Sequence, residues 1–307
     1  MKTTCVAFLA FVSVVAVLGC SGEKQQKISL ESTRQSAETP PSDAKPVRFA
    51  VGGMITPKEG MGYYRDFLRY LQEKIGAKVA YVDREGYAEI NEMLKNNQLE
   101  AAFVCSGPYV DGHAQFGLEL LAAPQAYGAT VYYSYIIVPK ESPVRSFAEL
   151  RGKRFAFTDP LSNSGKLVPT YMLARMQETP ESFFKEFVFT KSHDKSIKAV
   201  AQGIVDGAAV DSLIWEYLNA KSPEFTAKTR ILEKSQPYGI PPIVVSNSLA
   251  PELKERLRKA VLGAADDLRG QEILRQMKID RFVEISDSAY DSVREMQAWI
   301  AKQQARK

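Results

Sequence analysis

The chain has 307 residues, of which 45% are hydrophobic and 25% charged, a composition that supports one large globular domain or two smaller ones. Its 40 Lys and Arg residues are interleaved with 36 Asp and Glu residues, and the formal net charge is only +4. Because no basic run could follow a phosphate backbone, the sequence argues against a nucleic-acid partner.

The N-terminal segment has the proportions of a signal peptide. Lys2 precedes an apolar stretch from about Val6 to Leu18, which is too short to span a bilayer comfortably. The letters AVLGC at its end resemble the bacterial lipoprotein signal, which implies removal of residues 1–19 and lipid attachment to the sulfur of Cys20. A plain signal peptide with an incidental cysteine is the alternative. At about 0.8 kcal/mol per buried CH₂, several acyl chains would anchor the protein firmly.

Residues 20–46 are expected to form the lipidated cysteine and a disordered tether. They are rich in Ser, Gln, Glu, Lys and Pro and nearly free of bulky apolar side chains. A tether of this length would reach roughly 25–30 Å at about 5–6 Å × √n. Since Cys5 leaves with the signal and Cys20 is acylated, Cys105 remains alone and cannot form an intramolecular disulfide.

The folded part is expected to begin at Val47 and to alternate strands with helices. The predicted strands are VRFAVGG, KVAYV, LEAAFV, ELLAAPQA, TVYYSYIIVP, KRFAF, EFVFT, GAAV, RILEK and PIVVS. The predicted helices are Tyr64–Ile75, AEINEMLKN, a short helix after the capping box Ser146–Glu149, one from the turn at Ser162 to about Met176, one opened by Thr179-Pro180, the face Ile197–Ile204, Pro251–Leu268 and Ser286–Gln303. The alternation predicts an α/β protein with mostly parallel sheets. The stretch PYVDGHAQFG is read as a loop, and its His113 as structural.

Two segments of the chain resemble each other at an offset of 106 residues. The segments beginning at Tyr87 and at His193 both read as a helix with a polar start, a tight turn and a buried strand, and Glu100 falls on Asp206 in a gap-free alignment. Any two helix-turn-strand units look somewhat alike. The similarity of the two segments nevertheless fits two similar lobes that face each other across a cleft, where ligands bind in α/β proteins.

A cluster of small polar residues stands where one predicted helix begins: Ser162, Asn163, Ser164 and Gly165. The first N–H groups of a helix lack intrahelical partners and carry the positive end of its dipole, so a tetrahedral oxyanion could bind there. Gly165 would let a ligand approach the backbone closely. Capping needs only one of these residues, and the spacing alone leaves ligand binding and capping equally open.

His193 opens the next helix after the strand EFVFT. Its imidazole could donate a hydrogen bond to an anion, which would stabilise the charged form of the ring. A surface histidine at a helix start is the alternative. The chain carries no GxSxG, HExxH, GxGxxG or paired-cysteine motif, so it is expected to be neither an enzyme nor a protein that needs a metal or a cofactor.

With these residues in view, the chain resembles the substrate-binding proteins of phosphate/phosphite/phosphonate ABC transporters, a branch of the type II periplasmic binding proteins. The resemblance covers nearly everything after Val47. Its most specific segments are KESPVRSFAELRGKRFAFTDPLSNSGKLVP and FVFTKSHDKSIKAVAQGIVDGAAVDS.

The resemblance implies two α/β lobes with a ligand cleft between them, joined by two crossover hinge segments. The crossovers would fall near Val138–Ser142 and near Ser235–Ile240. Lobe 1 would comprise residues 47–138 plus 240–307, and lobe 2 residues 139–239.

The resemblance also implies which residues hold the ligand. The oxyanion is expected to bind the turn Ser162–Ser164 and His193, together with Tyr87 at the head of the first-lobe helix and Tyr132 on the crossover strand. The chain departs from binders of aminoalkylphosphonates, because Leu213 stands where they carry an acid that reads the amine. Asp211 lies close by and either accepts a hydrogen bond from a protonated oxyanion or only caps the helix that it starts.

The N-terminal lipoprotein signal and the family resemblance together lead us to expect a monomeric, lipid-anchored protein of the cell envelope. It would capture a phosphorus oxyanion, which could be a phosphonate, phosphite or phosphate, and deliver it to an ABC transporter permease for uptake. An enzyme acting on a small phosphorylated substrate and a sensor for the same anion are the alternatives.

Overall fold

The computed structural model describes residues 45–52, 57–84 and 86–305, and of residues 57–61 it describes only the backbone. The predicted signal peptide, Cys20 and nearly all of the predicted tether lie outside the described residues.

The strands and helices follow one another in alternation over most of this region. The strands are β1 (Val47–Val51), β2 (Val79–Val82), β3 (Ala101–Phe103), β4 (Glu119–Gln125), β5 (Val131–Tyr132), β6 (Ser134–Pro139), β7 (Arg154–Phe157), β8 (Glu186–Phe189), β9 (Gly207–Asp211), β10 (Thr229–Lys234), β11 (Tyr238–Gly239), β12 (Ile243–Val245) and β13 (Arg281–Val283). The helices are α1 (Pro57–Ile75), α2 (Tyr87–Lys95), α3 (Ser106–Phe116), α4 (Val168–Arg175), α5 (Pro180–Phe183), α6 (His193–Ala201), α7 (Ser212–Lys221), α8 (Pro251–Leu262), α9 (Leu268–Met277) and α10 (Asp291–Gln304).

The strands form two mixed sheets and a short ribbon. The first sheet has the order β13-β4-β12-β3-β1-β2, the second has the order β10-β6-β9-β7-β8, and β5 pairs with β11. Only the pairs of β1 with β2 and β3, and of β7 with β8 and β9, are parallel. The prediction of mostly parallel sheets is therefore wrong, because the alternation of strands and helices does not report the direction of strands that arrive from a crossover.

We call the part of the chain that carries the six-stranded sheet the first lobe, and residues 134–234 the second lobe. Strand β6 pairs with β9 and β10 in the second sheet, so the first crossover precedes Ser134. The predicted crossover near Val138–Ser142, and the lobe boundary after Val138, are therefore placed too late. The run TVYYSYIIVP has one uniform β-propensity and gives no sign of where the chain changes sheets. The predicted second crossover region contains β11.

The similarity between the segments beginning at Tyr87 and at His193 corresponds to a repeated structural unit. Helices α2 and α6, each of 9 residues, begin at the two residues that the alignment pairs. In the first lobe Arg48 binds Glu100, with an Nη2–Oε1 distance of 2.6 Å, and in the second Arg154 binds Asp206, with an Nη2–Oδ1 distance of 2.9 Å. In each unit the backbone N–H of the arginine also donates to the carboxylate that its side chain binds.

Several elements differ from the sequence-based expectations. The stretch predicted as a loop around His113 lies in α3, whose glycines and proline hide the helical pattern. The His113 ring faces the carbonyl of Leu118 at 2.9 Å, a structural contact as predicted. The predicted helix Pro251–Leu268 ends at Leu262, and α7, α9, β11 and β13 were not predicted. No helix in the described ranges has the length and apolar character needed to cross a membrane.

Candidate functional site

The Ser-rich turn enters α4 through a widened, π-helical turn at Asn163–Leu167. The hydroxyl of Ser162 accepts a hydrogen bond from the Gly165 N–H at 2.9 Å, and the Ser162 carbonyl accepts from Leu167 at 2.9 Å. Ser162 is therefore the capping residue. The hydroxyl of Ser164 is buried and has no hydrogen-bond partner in the part of the chain that the structure describes. The structure thus assigns helix capping to Ser162 and leaves the Ser164 hydroxyl available for a ligand. The spacing of the residues alone could not distinguish these two roles.

Gly165 packs against the strand side of the turn. A Cβ at this position would lie 2.4 Å from the Oγ1 of Thr158, which follows β7. The close approach that requires a glycine here is therefore to Thr158.

His193 is the first residue of α6 and is fully buried. Its Nδ1 accepts the backbone N–H of Asp211 at 2.9 Å, so in the neutral ring the proton resides on Nε2. Burial lowers the pKa of His193 to about 3. Without a bound anion the imidazole is therefore neutral at pH 7, and stabilisation of its charged form by an anion stays a prediction. Its Nε2 is a buried donor that has no partner among the described residues.

Asp211 ends β9 and caps α7. Its Oδ1 accepts the N–H of Leu213 at 2.7 Å, while its Oδ2 is buried and meets no partner among the residues that the structure describes. Burial raises the pKa of Asp211 to about 7. The capping reading is thus correct for one oxygen, and the second oxygen can still exchange a proton with a ligand.

Tyr87 and Tyr132 are both fully buried. The Tyr132 hydroxyl accepts a hydrogen bond from the Asn163 amide at 3.0 Å, and the Tyr87 hydroxyl has no partner within residues 45–52, 57–84 and 86–305. Burial raises the pKa of each tyrosine, and the Asp211 carboxyl adds to the rise in both. The hydrogen bond from Asn163 and the electrostatic effect of Asp211 show that Tyr132 and Tyr87 lie close to second-lobe residues, at the seam where the two lobes meet.

Several buried side-chain atoms lack a hydrogen-bond partner within the described residues, among them Asn91 Oδ1, Thr170 Oγ1 and Asp194 Oδ1, and one group of them belongs to the candidate site and its neighbours. Its members are Tyr87 Oη, Asn163 Oδ1, Ser164 Oγ, Ser192 Oγ, His193 Nε2 and Asp211 Oδ2. An unpaired buried polar group costs about 1–3 kcal/mol, so native proteins rarely tolerate it. Such a group suits a small external molecule rich in oxygen. Across the described part of the chain, no set of three or more His, Cys, Asp or Glu side chains is arranged to hold a metal ion.

Sequence reasoning missed two residues beside this group. Ser192 occupies the N-cap position of α6, but its side chain makes no capping bond. Its place directly before His193 was the available signal. Tyr64 is a buried residue of α1 that, with Leu213, lines a cavity of about 60 Å³. Tyr64 reads as an ordinary core position of an amphipathic helix, so the sequence held no signal for it.

The comparison with known protein families gives a match over most of the chain. Residues 50–290 match the family described as "ABC transporter, phosphonate, periplasmic substrate-binding protein". The phosphonates-binding periplasmic protein of Escherichia coli is 25% identical over 262 residues, which cover 84% of this chain and 73% of that protein. The phosphate-import protein PhnD of Mycolicibacterium smegmatis is 26% identical over 209 residues, or 64% of each chain.

Solved structures share the architecture. A binding-protein component of an ABC phosphonate transporter from Pseudomonas aeruginosa has a TM-score of 0.80 and 23% identity, over 85% of this chain and 88% of that one. PhnD1 from Prochlorococcus marinus, solved with methylphosphonate, has a TM-score of 0.76 and 19% identity, over 84% and 99% of the two chains. These likenesses confirm the predicted type II periplasmic binding protein fold. By its family match, the chain belongs to the periplasmic substrate-binding proteins of phosphonate ABC transporters.

Proposed function

We propose that this protein captures a phosphorus oxyanion, which is a phosphonate, phosphite or phosphate, and delivers it to the permease of an ABC importer. The observation that carries the proposal is the group of buried, unpartnered polar atoms from both lobes. Family membership supports it, as does the methylphosphonate bound to a structural neighbour.

In the proposed site, neutral groups hold the anion. Ser164, Tyr87 and His193 Nε2 donate hydrogen bonds to it. The wide turn opened by Ser162 and Asn163 holds Ser164 in place, since its Gly165 and Leu167 N–H groups are bonded to Ser162. Hydrogen bonds to an ionised acceptor in a dry site are about twice as strong as those between neutral groups. Gly165 allows the turn to keep this shape, and Tyr132 orients Asn163.

Asp211 takes part through a proton. A carboxyl group with a pKa of about 7 carries its proton roughly half of the time at neutral pH. It can donate that proton in a hydrogen bond to a dianion or, when ionised, accept one from a monoanion. The pair formed by Asp211 and the ligand would hold one proton in either case.

The substituent on phosphorus is proposed to be small and uncharged. Leu213 lines the cavity of about 60 Å³ beside the site, together with apolar residues such as Ile214 and Phe103. An ammonium group placed there would lose its hydration without gaining a carboxylate partner. This feature disfavours an aminoalkylphosphonate.

The location is proposed from the N-terminal sequence and the family. The protein would act in the periplasm as a monomer, held to a membrane through lipid on Cys20. Substitution of Cys20 by Ser should abolish acylation, so that a fatty-acid label is no longer incorporated into the protein. Equal labelling of the substituted and the unaltered protein would argue against the lipid anchor.

A panel of anions tests the proposed function. At about 100 times its Kd, a ligand specific for the folded state adds about 2.7 kcal/mol of stability, which should raise the Tm by roughly 5–10 °C. We expect this shift with phosphite, methylphosphonate or phosphate, and none with sulfate or 2-aminoethylphosphonate. No shift with any phosphorus oxyanion would refute the proposal, and turnover of a phosphate ester would favour an enzyme.

A further inference from the structure

The turn that follows β7 contacts the first lobe through a buried carboxylate. Asp159 is only 5% exposed. Its Oδ1 accepts the N–H of Leu161 in the same turn at 2.8 Å, and its Oδ2 accepts the N–H of Tyr87 in the first lobe at 3.2 Å. One carboxylate therefore shapes its own turn and binds the opposite lobe.

This contact supplies what α2 lacks in its own sequence. The N-cap residue of α2 is Gly86, which has no side chain and makes no side-chain capping bond. The N–H groups of a first helical turn need acceptors and favour negative charge. The cap for this first-lobe helix comes from Asp159 of the second lobe.

The same turn also meets the start of α3. A Cβ on Gly107 would lie 2.3 Å from the carbonyl oxygen of Leu161 and 3.4 Å from the backbone nitrogen of Asn163. The obstructing atoms belong to the backbone, so they cannot move aside as a flexible side chain would. The turn can approach α3 this closely only because residue 107 is a glycine.

We propose that the turn Asp159–Ser164 is an inter-lobe clasp, in which Asp159 and Gly107 hold the lobes closed over the ligand. The proposal rests on the proposed function, since the turn that carries Ser164 to the anion is also the turn that docks on α2 and α3. An anion that fixes the turn thereby positions Asp159 on Tyr87. Asp159 is a positioning residue that acts without touching the ligand.

Substitution of Asp159 by Asn separates the two roles of the carboxylate. The single amide oxygen of Asn can still accept the Leu161 N–H, but the amide NH₂ then faces the Tyr87 N–H, donor against donor. We expect the Kd for the tightest-binding oxyanion to rise about 5–30-fold, mainly through faster dissociation, with the ligand-free Tm unchanged. The matched control is Glu89→Gln, because Glu89 is an acid in the first turn of α2 that pairs with Arg84 inside the first lobe. It should bind like the unaltered protein.

Substitution of Gly107 by Ala tests the steric half of the clasp. Alanine favours a helix over glycine, so the ligand-free Tm should stay the same or rise. Affinity should nevertheless fall about tenfold or more, because the added methyl group meets the Leu161 carbonyl when the lobes close. Gly62→Ala is the control, since a Cβ there meets no atom within 4 Å. It should leave the affinity unchanged.

Small-angle X-ray scattering supplies an independent readout of closure. The unaltered protein should contract on adding ligand, and both variants should contract less at equal occupancy. The clasp is refuted if both variants bind and contract like the unaltered protein, or if Asp159→Asn lowers the ligand-free Tm in proportion to its loss of affinity. If one of these outcomes refutes the clasp but the unaltered protein binds the panel anions, the proposed function still stands.

Discussion

Within the site, the role of each polar residue depends on which of its atoms the protein already uses. Ser162 and Ser164 are chemically identical and two positions apart, yet one hydroxyl caps the turn and the other is unpaired. Asp211 shows the same division between its two oxygens. Residue type and spacing could identify these residues, but the assignment of each atom depends on backbone geometry that only the fold supplies.

Substitution of Ser164 by Ala should weaken ligand binding by about 1–3 kcal/mol, because a buried ligand oxygen loses its donor. The ligand-free Tm should hardly change, since this hydroxyl has no protein partner. Isothermal calorimetry and thermal melting measure the two effects. Ser162→Ala is the comparison, because it removes a cap and should cost about 1 kcal/mol of stability. Unchanged affinity in Ser164→Ala would remove Ser164 from the site.

Substitution of Asp211 by Asn should change the pH dependence of binding. Above pH 7 the unaltered protein must take up a proton to bind a dianion, so its Kd should rise about tenfold per pH unit. The Asn amide donates without proton uptake, so its profile should stay flat over the same range. Calorimetry from pH 6 to pH 9 compares them. Parallel profiles would show that Asp211 does not share a proton with the ligand.

The same substitution should affect ligand-free stability with a definite sign. The pKa of Asp211 is raised from its ordinary 3.8 to about 7, so the folded protein binds this proton more tightly than the unfolded chain. Folding stability is therefore lost between about pH 4 and pH 7 and stays lower above pH 7. Asp211→Asn removes this loss, and its Tm should exceed that of the unaltered protein most clearly above pH 7. A difference that is equal at pH 4 and pH 8 would contradict this account.

Among the elements, the wide turn before α4 depends on its packing against β7. The carbonyl of Gly165 accepts the N–H of Thr158 at 3.2 Å, and a Cβ on Gly165 would lie 2.6 Å from the Cβ of Thr158. The sequence indicated a glycine needed for close approach but not which neighbour approaches it. In the amino-acid sequence, a glycine that faces a ligand looks the same as a glycine that faces a buried strand.

Substitution of Gly165 by Ala should therefore damage stability and binding together. The added methyl group must displace the turn from Thr158, at a cost of about 1–3 kcal/mol, and the displacement moves Ser164. Thermal melting and calorimetry should both report the loss. Gly263→Ala is the control, since its nearest obstacle is a side-chain oxygen of Asp266 at 3.8 Å. A loss of affinity with unchanged stability would instead indicate that the ligand touches Gly165.

The repeated unit was the part of the fold most open to prediction. The gap-free alignment placed Tyr87 and His193 at equivalent helix starts, and α2 and α6 begin at these residues. Helix α3 was missed because Gly107 and Gly112 interrupt its pattern, although close contacts require both glycines. The sequence pattern predicts well the elements with a regular local periodicity. It predicts poorly the elements whose residues are chosen to fit tertiary contacts, as in α3.

At the scale of the whole molecule, the alternating elements and the type II periplasmic binding protein fold could be inferred from the sequence. The crossover position and the strand directions could not. The chain changes sheets within a run of tyrosines and β-branched residues that only Ser134 interrupts, where β5 ends at Tyr132 and β6 starts at Ser134. Which sheet such a strand joins depends on partners distant in sequence, since β6 pairs with β9 from Ser134 with Asp211 to Ile137 with Ala208.

The neutral character of the donors has a consequence for the environments in which the protein can work. In the proposed site, Tyr87, Ser164 and His193 would recognise charge through fixed dipoles of buried groups, which mobile counter-ions do not reach. Dissolved salt screens exposed charges over about 8–10 Å but has little effect on buried contacts. The Kd should therefore vary little between dilute medium and brine, so a cell could scavenge the same trace nutrient in fresh water and in the sea.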